Sequence, residues 1–294
     1  MINKNDTRYG ALFRKGISNT FSFLKNTVQL DDLFAKAIPL KNGEGFLVPV
    51  AELRAADDSL IKDMSKWRSD SSYAYPTQFP VTEEGTKKWL SSQVLDNPSR
   101  IMFLLLDGFG NRIGHLGYTN CLNDDGEMEI DNVVRGVSDV CPGIMTKAMQ
   151  VLLDWADEKL LPRKIYLKVL DDNNKAINFY EKLGFKPDEK FELRKKQNGD
   201  RIEFVPLSKD DDAPPDKYFL KMIYSPDRKV DSSETILTAG PSISSRECSY
   251  ALDAVRYGWN SQWNKYIKQL ELRQFSIFNG YKKYGKRNTY TTPK

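Results

Sequence analysis

The segment from Met128 to Phe185 constrains the fold more than any other part of the chain. Its pattern predicts, in order, a strand, a loop, a helix, a second strand and a second helix: MEIDNVVRG, VSDVCPGIM, TKAMQVLLDWADEKL, KIYLKVL and DDNNKAINFYEKLGF. The first strand reaches the first helix through Gly136 and Gly143. Free backbone N–H groups and the positive end of the helix dipole collect at such a junction. The junction is therefore predicted to attract phosphate.

The end of this segment carries a family resemblance. Asn173, Ala176, Tyr180 and Gly184–Phe185 follow the spacing N-x-x-A-x-x-x-Y-x-x-x-G-F. Together with the order of elements, this spacing resembles the GNAT family of acetyl-CoA-dependent acyltransferases. The resemblance implies an enzyme that uses acetyl-CoA as co-substrate and transfers acetyl directly to a primary amine.

Hydrophobic periodicity in the rest of the chain predicts an α+β fold. A hairpin is expected around DGFGN, between RIMFLLLD and NRIGHLGYTN. Helices are expected over AADDSLIKDMSKWR and, from an N-cap at Thr82, to about Val94. These elements predict a mixed, mainly antiparallel sheet flanked by helices, which is the GNAT fold that the resemblance implies.

Composition shifts divide the chain into four parts. We expect an N-terminal extension of unknown role at 1–45, an acetyltransferase domain at 46–225, a polar linker at 226–234 and a small helical C-terminal appendage at 235–294. Within the extension, LDDLFAKAIPL is either a helix that packs on the domain or a remnant of an upstream element.

Composition also argues against several classes of function. The net charge is only +4, and the basic excess lies in residues 226–294, so nothing indicates a nucleic-acid partner. Three isolated cysteines and a single histidine predict no metal site. The longest apolar run, Ile101–Leu106, is too short to span a membrane. We therefore expect a cytoplasmic protein that does not bind membranes.

The loop before the first helix of the segment is the predicted acetyl-CoA site. The family pattern Q/R-x-x-G-x-G/A, placed with its middle glycine on Gly143, puts Val140 and Met145 at positions where they depart from it. Backbone donation survives both departures, and Arg135 and Lys147 are predicted as auxiliary cations. The alternative is an ordinary turn with a Pro-Gly break. The residues implied in acetyl-CoA binding are Val133, Val134, Arg135, Gly136, Pro142, Gly143, Ile144, Met145, Thr146, Asn173 and Ala176.

The resemblance implies that Tyr180 is the general acid near the sulfur of CoA. A phenol stays neutral at pH 7 and can donate to a thiolate; the alternative is a tyrosine of the core. Asn173 either holds the pantetheine arm or simply caps its helix. Glu129 and Asp131 lie on one face of a strand and are candidates for the general base. The alternatives to this catalytic role are that the face is a solvated acidic surface, or that it attracts a cationic amine.

Three further features complete the predicted site. Tyr73, Tyr75 and Phe79 lie where GNAT proteins form the acceptor pocket, and they either stack on a ring of the acceptor or fill the core. His115 is expected to be structural rather than a base. Cys141 is set aside as a nucleophile, because the family transfers acetyl directly.

The C-terminal segment carries a second resemblance. TAGPSI, Glu247, Tyr250, Asp253-Ala254 and Gly258-Trp259-Asn260 resemble the opening of DegT-type sugar aminotransferases. The sequence ends before the lysine that holds pyridoxal phosphate in that family, so no functional pyridoxal phosphate site is expected. The alternative is a basic amphipathic helical appendage.

The second resemblance implies an acceptor for the acetyl group. DegT-type enzymes aminate nucleotide-linked sugars, so we expect a nucleotide-linked amino sugar in surface polysaccharide biosynthesis, with a sugar aminotransferase as a partner. The alternatives are a protein N-terminus, another small-molecule amine, or a non-catalytic module that binds CoA or docks a partner.

Overall fold

One ten-stranded sheet organises the part of the chain that the structure, a computed structural model, describes: residues 9–27, 29–54, 57–208 and 213–225. The helices are α1 (Tyr9–Lys25), α2 (Leu30–Ala35), α3 (Asp58–Asp70), α4 (Glu83–Trp89), α5 (Ile144–Lys159) and α6 (Asn174–Lys182). The strands are β1 (Ile38–Pro39), β2 (Gly45–Pro49), β3 (Thr77–Gln78), β4 (Ile101–Asp107), β5 (Arg112–Thr119), β6 (Glu127–Arg135), β7 (Lys164–Leu170), β8 (Phe185–Asn198), β9 (Arg201–Pro206) and β10 (Lys217–Tyr224).

The strand order shows where the sheet changes from antiparallel to parallel pairing. The order is β1-β2-β4-β5-β6-β7-β10-β8-β9-β3. Within the described residues, β6 and β7 form the only parallel pair, and every other neighbouring pair is antiparallel. α5 makes the crossover between these two strands, as parallel neighbours require. The predicted α+β architecture with a mixed, mainly antiparallel sheet is therefore confirmed.

Side-chain caps define the beginnings of three helices. Asp57 accepts from the amide of Leu60 at the start of α3, and Thr82 accepts from the amide of Gly85 at the start of α4. Asn173 accepts from the amide of Ala176, 3.2 Å away, and so caps α6. The caps at Thr82 and Asn173 follow the sequence prediction, because short polar side chains satisfy the free amides of a first turn. α4 continues into a π-helical turn at Leu90–Leu95.

The N-terminal helix is part of the folded core. Phe13, Ile17 and Phe21 of α1 are buried in the same cluster as the inward residues of β4, β5 and α5. The ammonium group of Lys25 donates to the carbonyls of Leu95 and Asn97, at 3.2 and 2.6 Å. A cation at the end of a helical turn satisfies carbonyls that lack a partner within the helix. The helix α1, which belongs to the predicted N-terminal extension at 1–45, thus packs on the sheet.

No helix within the described ranges is long and apolar enough to cross a membrane. The predicted linker and appendage, residues 226–294, lie outside the described residues, and so does the aminotransferase-like segment.

Candidate active site

The sheet opens between β6 and β7. Their parallel pairing runs from Glu127 with Lys164 to Ile130 with Leu167, although both strands continue further. A β-bulge in β6 interrupts its pairing with β5 at the same level, and Asn132 in the bulge has a φ of 53°. Bulges bend a strand and increase its twist. The second half of β6 therefore leaves β7, and a gap forms in the middle of the sheet.

His115 supports this bulge from the neighbouring strand. Its Nδ1 lies 2.8 Å from the carbonyl oxygen of Asn132, and its ring centroid lies 6.0 Å from that of Trp67. The side chain is only 3% exposed, and burial lowers the pKa of His115 to about 4. The imidazole is therefore neutral at pH 7, and Nδ1 must carry the proton in order to donate to the carbonyl. His115 is a structural residue of the bulge.

The buried imidazole makes stability depend on pH. Between pH 6.5 and 4 the unfolded chain binds a proton at His115 that the folded chain does not bind, so the free energy of unfolding falls as the pH falls through this window. We expect this residue to account for a loss of about 2 kcal/mol between pH 7.5 and 5. Urea titrations of the wild type and of His115→Asn at both pH values measure the difference. Equal losses in the two proteins would contradict the assignment.

The loop between β6 and α5 is held by Arg135. Its guanidinium donates to the carbonyls of Val137, Ser138 and Val140 at 3.0, 2.8 and 2.7 Å. Three carbonyl oxygens of the loop are thereby turned towards one side chain. Arg135, which was predicted as an auxiliary cation for CoA, thus stabilises the conformation of the loop through these three hydrogen bonds.

The start of α5 offers free amides. Gly143, the N-cap residue of α5, has a φ of 78°, a conformation that glycine adopts without strain. The amide of Ile144 donates to the carbonyl of Cys141, whereas within the described ranges the amides of Gly143, Met145 and Thr146 have no acceptor. Unpaired amides at the positive end of a sixteen-residue helix form a site suited to a diphosphate.

The side chains of the predicted cofactor residues differ in burial. The side chains of Val134, Ile144 and Met145 are buried in the core, while Pro142 is exposed. Gly136 has a packing reason to lack a side chain, because an added Cβ would lie 2.0 Å from the indole of Trp67. Val133 and Ala176 are partly buried against the core cluster.

Lys147 was the other predicted auxiliary cation. Its ammonium group pairs with the carboxylate of Glu44, so it is engaged within the protein.

Tyr180, Asp131 and Tyr75, which were predicted for three different roles, share one neighbourhood. Burial raises the pKa of Tyr180, and the charges of Tyr75 and Asp131 raise it further. Burial likewise raises the pKa of Tyr75 to about 12, with Arg68 opposing and Asp131 adding to the increase. The Tyr180 ring packs 5.8 Å from the ring of Phe185, and its hydroxyl donates to no other group in the described part of the chain. A neutral phenol with a free proton thus lies near a carboxylate.

The acidic face of β6 is paired rather than simply solvated. Burial raises the pKa of Asp131, which accepts from Arg100 at 3.0 Å and from its neighbour Asn132 at 2.6 Å. Glu129 accepts from the side chains of Asn120 and Tyr166, at 2.7 and 3.0 Å. Of the two carboxylates, only Asp131 is among the charges that act on Tyr180 and Tyr75.

The predicted acceptor aromatics lie on a segment attached to the sheet edge. β3 pairs with β9, and the amide of Phe204 donates to the carbonyl of Pro76. Tyr73 is 63% exposed and Phe79 is 38% exposed, so neither fills the core. Both aromatic rings are accessible to an acceptor.

Sequence reasoning missed three residues that shape the site. Arg100 pairs with Asp131, Asn132 forms the bulge, and Arg68 stacks on Tyr75. Asn132 carried a weak signal, because asparagine tolerates a positive φ better than most residues. Neither arginine belongs to a motif, and only the tertiary structure brings them to the site. Within the described ranges, no group of three His, Cys, Asp or Glu side chains is placed to hold a metal ion.

Comparison with known proteins shows which family this part of the chain resembles. Residues 51–186 match the family described as Acetyltransferase (GNAT) domain. Over these residues the chain is similar to that family. The matched range includes the bulged β6, the loop, α5, β7 and α6. The predicted GNAT fold and the prediction of an N-acetyltransferase are thereby confirmed.

Solved structures with a similar chain path include several acetyltransferases. A probable GNAT acetyltransferase from Chromobacterium violaceum has 18% identity and a TM-score of 0.48, with 64% of this chain and 89% of that chain covered. RimL, a ribosomal L7/L12 alpha-N-protein acetyltransferase also solved with coenzyme A, has 15% identity and a TM-score of 0.48, with 64% and 93% covered. A mutant spermidine N-acetyltransferase SpeG from Vibrio cholerae has 16% identity and a TM-score of 0.45, with 62% and 94% covered. No curated protein sequence matches the chain.

Proposed function

We propose that this GNAT domain transfers acetyl from acetyl-CoA directly to a primary amine at the gap between β6 and β7. The observation that carries the proposal is the set of unpaired amides of Gly143, Met145 and Thr146 beside that gap. These amides fit the diphosphate of CoA, and its pantetheine arm then extends along the open strand edges. Holding the thioester and the amine in line supplies much of the catalysis in such a reaction.

The reaction needs one proton donor and one proton acceptor. The amine nitrogen attacks the thioester carbonyl carbon, and the tetrahedral intermediate collapses with cleavage of the C–S bond. Tyr180 gives its hydroxyl proton to the departing thiolate. Asp131 takes the proton that the amine loses, directly or through a water molecule. Its raised pKa makes it a stronger base, while the Arg100 guanidinium stabilises its ionised form.

For the acceptor we propose a nucleotide-linked amino sugar. The exposed rings of Tyr73 and Phe79 suit the apolar face of a sugar or a base. The aminotransferase resemblance of residues 235–294 supports the same class, a role in surface polysaccharide biosynthesis, and a sugar aminotransferase as a partner. A protein N-terminus and other small amines are the competing acceptors.

Two measurements test this function. Isothermal titration of the full chain with acetyl-CoA is expected to show saturable binding; no heat at millimolar ligand would overturn the catalytic proposal. A free-thiol assay with amino sugar nucleotides, polyamines and N-terminal peptides then selects the acceptor. Binding of acetyl-CoA without release of thiol for any amine would identify a non-catalytic module instead.

A further inference from the structure

Arg68 lies between two aromatic rings next to the proposed reaction centre. Its guanidinium carbon is 3.7 Å from the ring centroid of Tyr75 and 5.2 Å from that of Phe79. Arg201 of β9 lies 5.5 Å from the Phe79 ring. We call Tyr75, Arg68, Phe79 and Arg201 the arginine–aromatic stack. Stacking on two rings fixes the plane of the Arg68 guanidinium.

The charge of Arg68 is not balanced within the protein. Nη2 donates to the carbonyl of Thr77 at 2.6 Å, but Nη1 is buried and has no hydrogen-bond partner. Burial lowers the pKa of Arg68, and within the described ranges this side chain forms no ion pair. Arg54 also has a buried nitrogen without a partner, yet its guanidinium is paired with Asp57. Arg68 therefore combines an unused buried donor with a half-buried charge that has no counter-ion in the described part of the chain.

Such a combination is uncommon in a folded protein. Nearly all buried polar groups are hydrogen-bonded, and a buried cation without a counter-ion is costly. A planar guanidinium matches the two oxygens of a phosphate or a carboxylate. The group that Arg68 lacks is therefore an oxyanion.

The position of the stack indicates the molecule that brings this oxyanion. Tyr75 is shared by the stack and by the reaction centre, because the charge of Asp131 acts on Tyr75 and on Tyr180. Tyr73 and Phe79 are exposed. The strand β3, which attaches this segment to β9, has only two residues.

We infer that Arg68 binds an oxyanion, a phosphate or a carboxylate, of the same acceptor molecule whose amine is acetylated beside Asp131. This inference rests on the proposed function, and it narrows the acceptor to amines that carry a negative group. It favours amino sugar phosphates over polyamines, which present only positive charge.

The experiment compares acceptors that share an amino sugar but differ in charge. The full chain, Arg68→Met and Arg68→Lys are assayed with glucosamine, glucosamine 6-phosphate, glucosaminic acid and spermidine. For the wild type we expect a lower KM for the oxyanion-bearing acceptors. Arg68→Met is expected to raise the KM for the preferred one by about tenfold with little change in kcat, and to leave the KM for glucosamine within about twofold. The phosphate and carboxylate arms distinguish the two sources of the oxyanion.

The conservative variant and the helix surface provide controls. Arg68→Lys keeps the charge and is expected to recover part of the lost affinity. Lys66 lies on α3 with Arg68 and has an exposed side chain, so Lys66→Met is expected to behave as the wild type. Thermal unfolding measures binding without turnover: the acidic acceptor is expected to raise the melting temperature of the wild type but not that of Arg68→Met.

The outcomes separate the two proposals. If Arg68→Met raises the KM for glucosamine and for its phosphate equally, or if the wild type shows no preference for acidic acceptors, the oxyanion subsite is wrong while the acetyltransferase stands. If no amine is acetylated but the acidic acceptor still stabilises only the wild type, the subsite stands and the proposed function fails.

Discussion

Tyr180→Phe is expected to lower kcat about 100-fold, with little change in the KM for acetyl-CoA. The phenol is the one proton donor that we place at the departing sulfur, and its hydroxyl has no other partner in the described part of the chain. Removing the oxygen deletes proton transfer without changing the packing of the ring against Phe185. A 100-fold effect is at the lower end of the range for a general acid, because a thiolate can leave without full protonation. Steady-state kinetics with a saturating amine measure the effect.

The pH profile gives a second check on the same residue. Because burial raises the pKa of Tyr180, the hydroxyl stays protonated across neutral and mildly alkaline pH, and it contributes no alkaline decline of kcat below about pH 9. Tyr218→Phe on β10 is the matched control, since its ring contacts Lys190 rather than the reaction centre. Unaltered turnover in Tyr180→Phe would remove the acid role.

Thr146→Pro is expected to raise the KM and the dissociation constant for acetyl-CoA by about 10- to 100-fold, with a smaller effect on kcat. Proline deletes one free amide at the start of α5, and no hydrogen bond of the helix is lost, because this amide has no acceptor in the described ranges. The first turn of a helix tolerates proline. Thr146 suits the test better than Met145, whose side chain is buried in the core. Isothermal titration and steady-state kinetics measure the two constants.

Thr146→Ala separates the amide from the hydroxyl. It removes the side-chain oxygen but keeps the backbone donor, so its affinity for acetyl-CoA is expected to stay close to that of the wild type. Equal losses of affinity in the two variants, or none in Thr146→Pro with its melting temperature preserved, would show that the diphosphate does not bind these amides.

Much of the scaffold could be predicted because local patterns and tertiary structure agree. The apolar run of β7, Lys164–Leu170, and the helical spacing of α5 identified both elements almost to the residue. The caps at Thr82 and Asn173 were predictable because capping depends on the first turn alone. The alternation of Glu129 and Asp131 with buried Met128 and Ile130 placed both acids on one face.

The rest depends on contacts that are remote in sequence. The bulge at Asn132 is held by the imidazole of His115, seventeen residues earlier, and no local pattern predicts that contact. The environment of Asp131 depends on Arg100, and that of Tyr75 depends on Arg68. The packing of α1 was also missed, because an amphipathic helix does not reveal in its own sequence which surface it covers.

The strand order has a practical consequence for recombinant production. A polypeptide limited to the matched residues 51–186 would lose β2, the outer neighbour of β4, and β10, which separates β7 from β8. Two hydrophobic strands would then present open hydrogen-bonding edges, which are templates for aggregation. The stretch that is recognisable as an acetyltransferase is therefore shorter than the smallest piece expected to fold, and expression trials should retain at least residues 9–225.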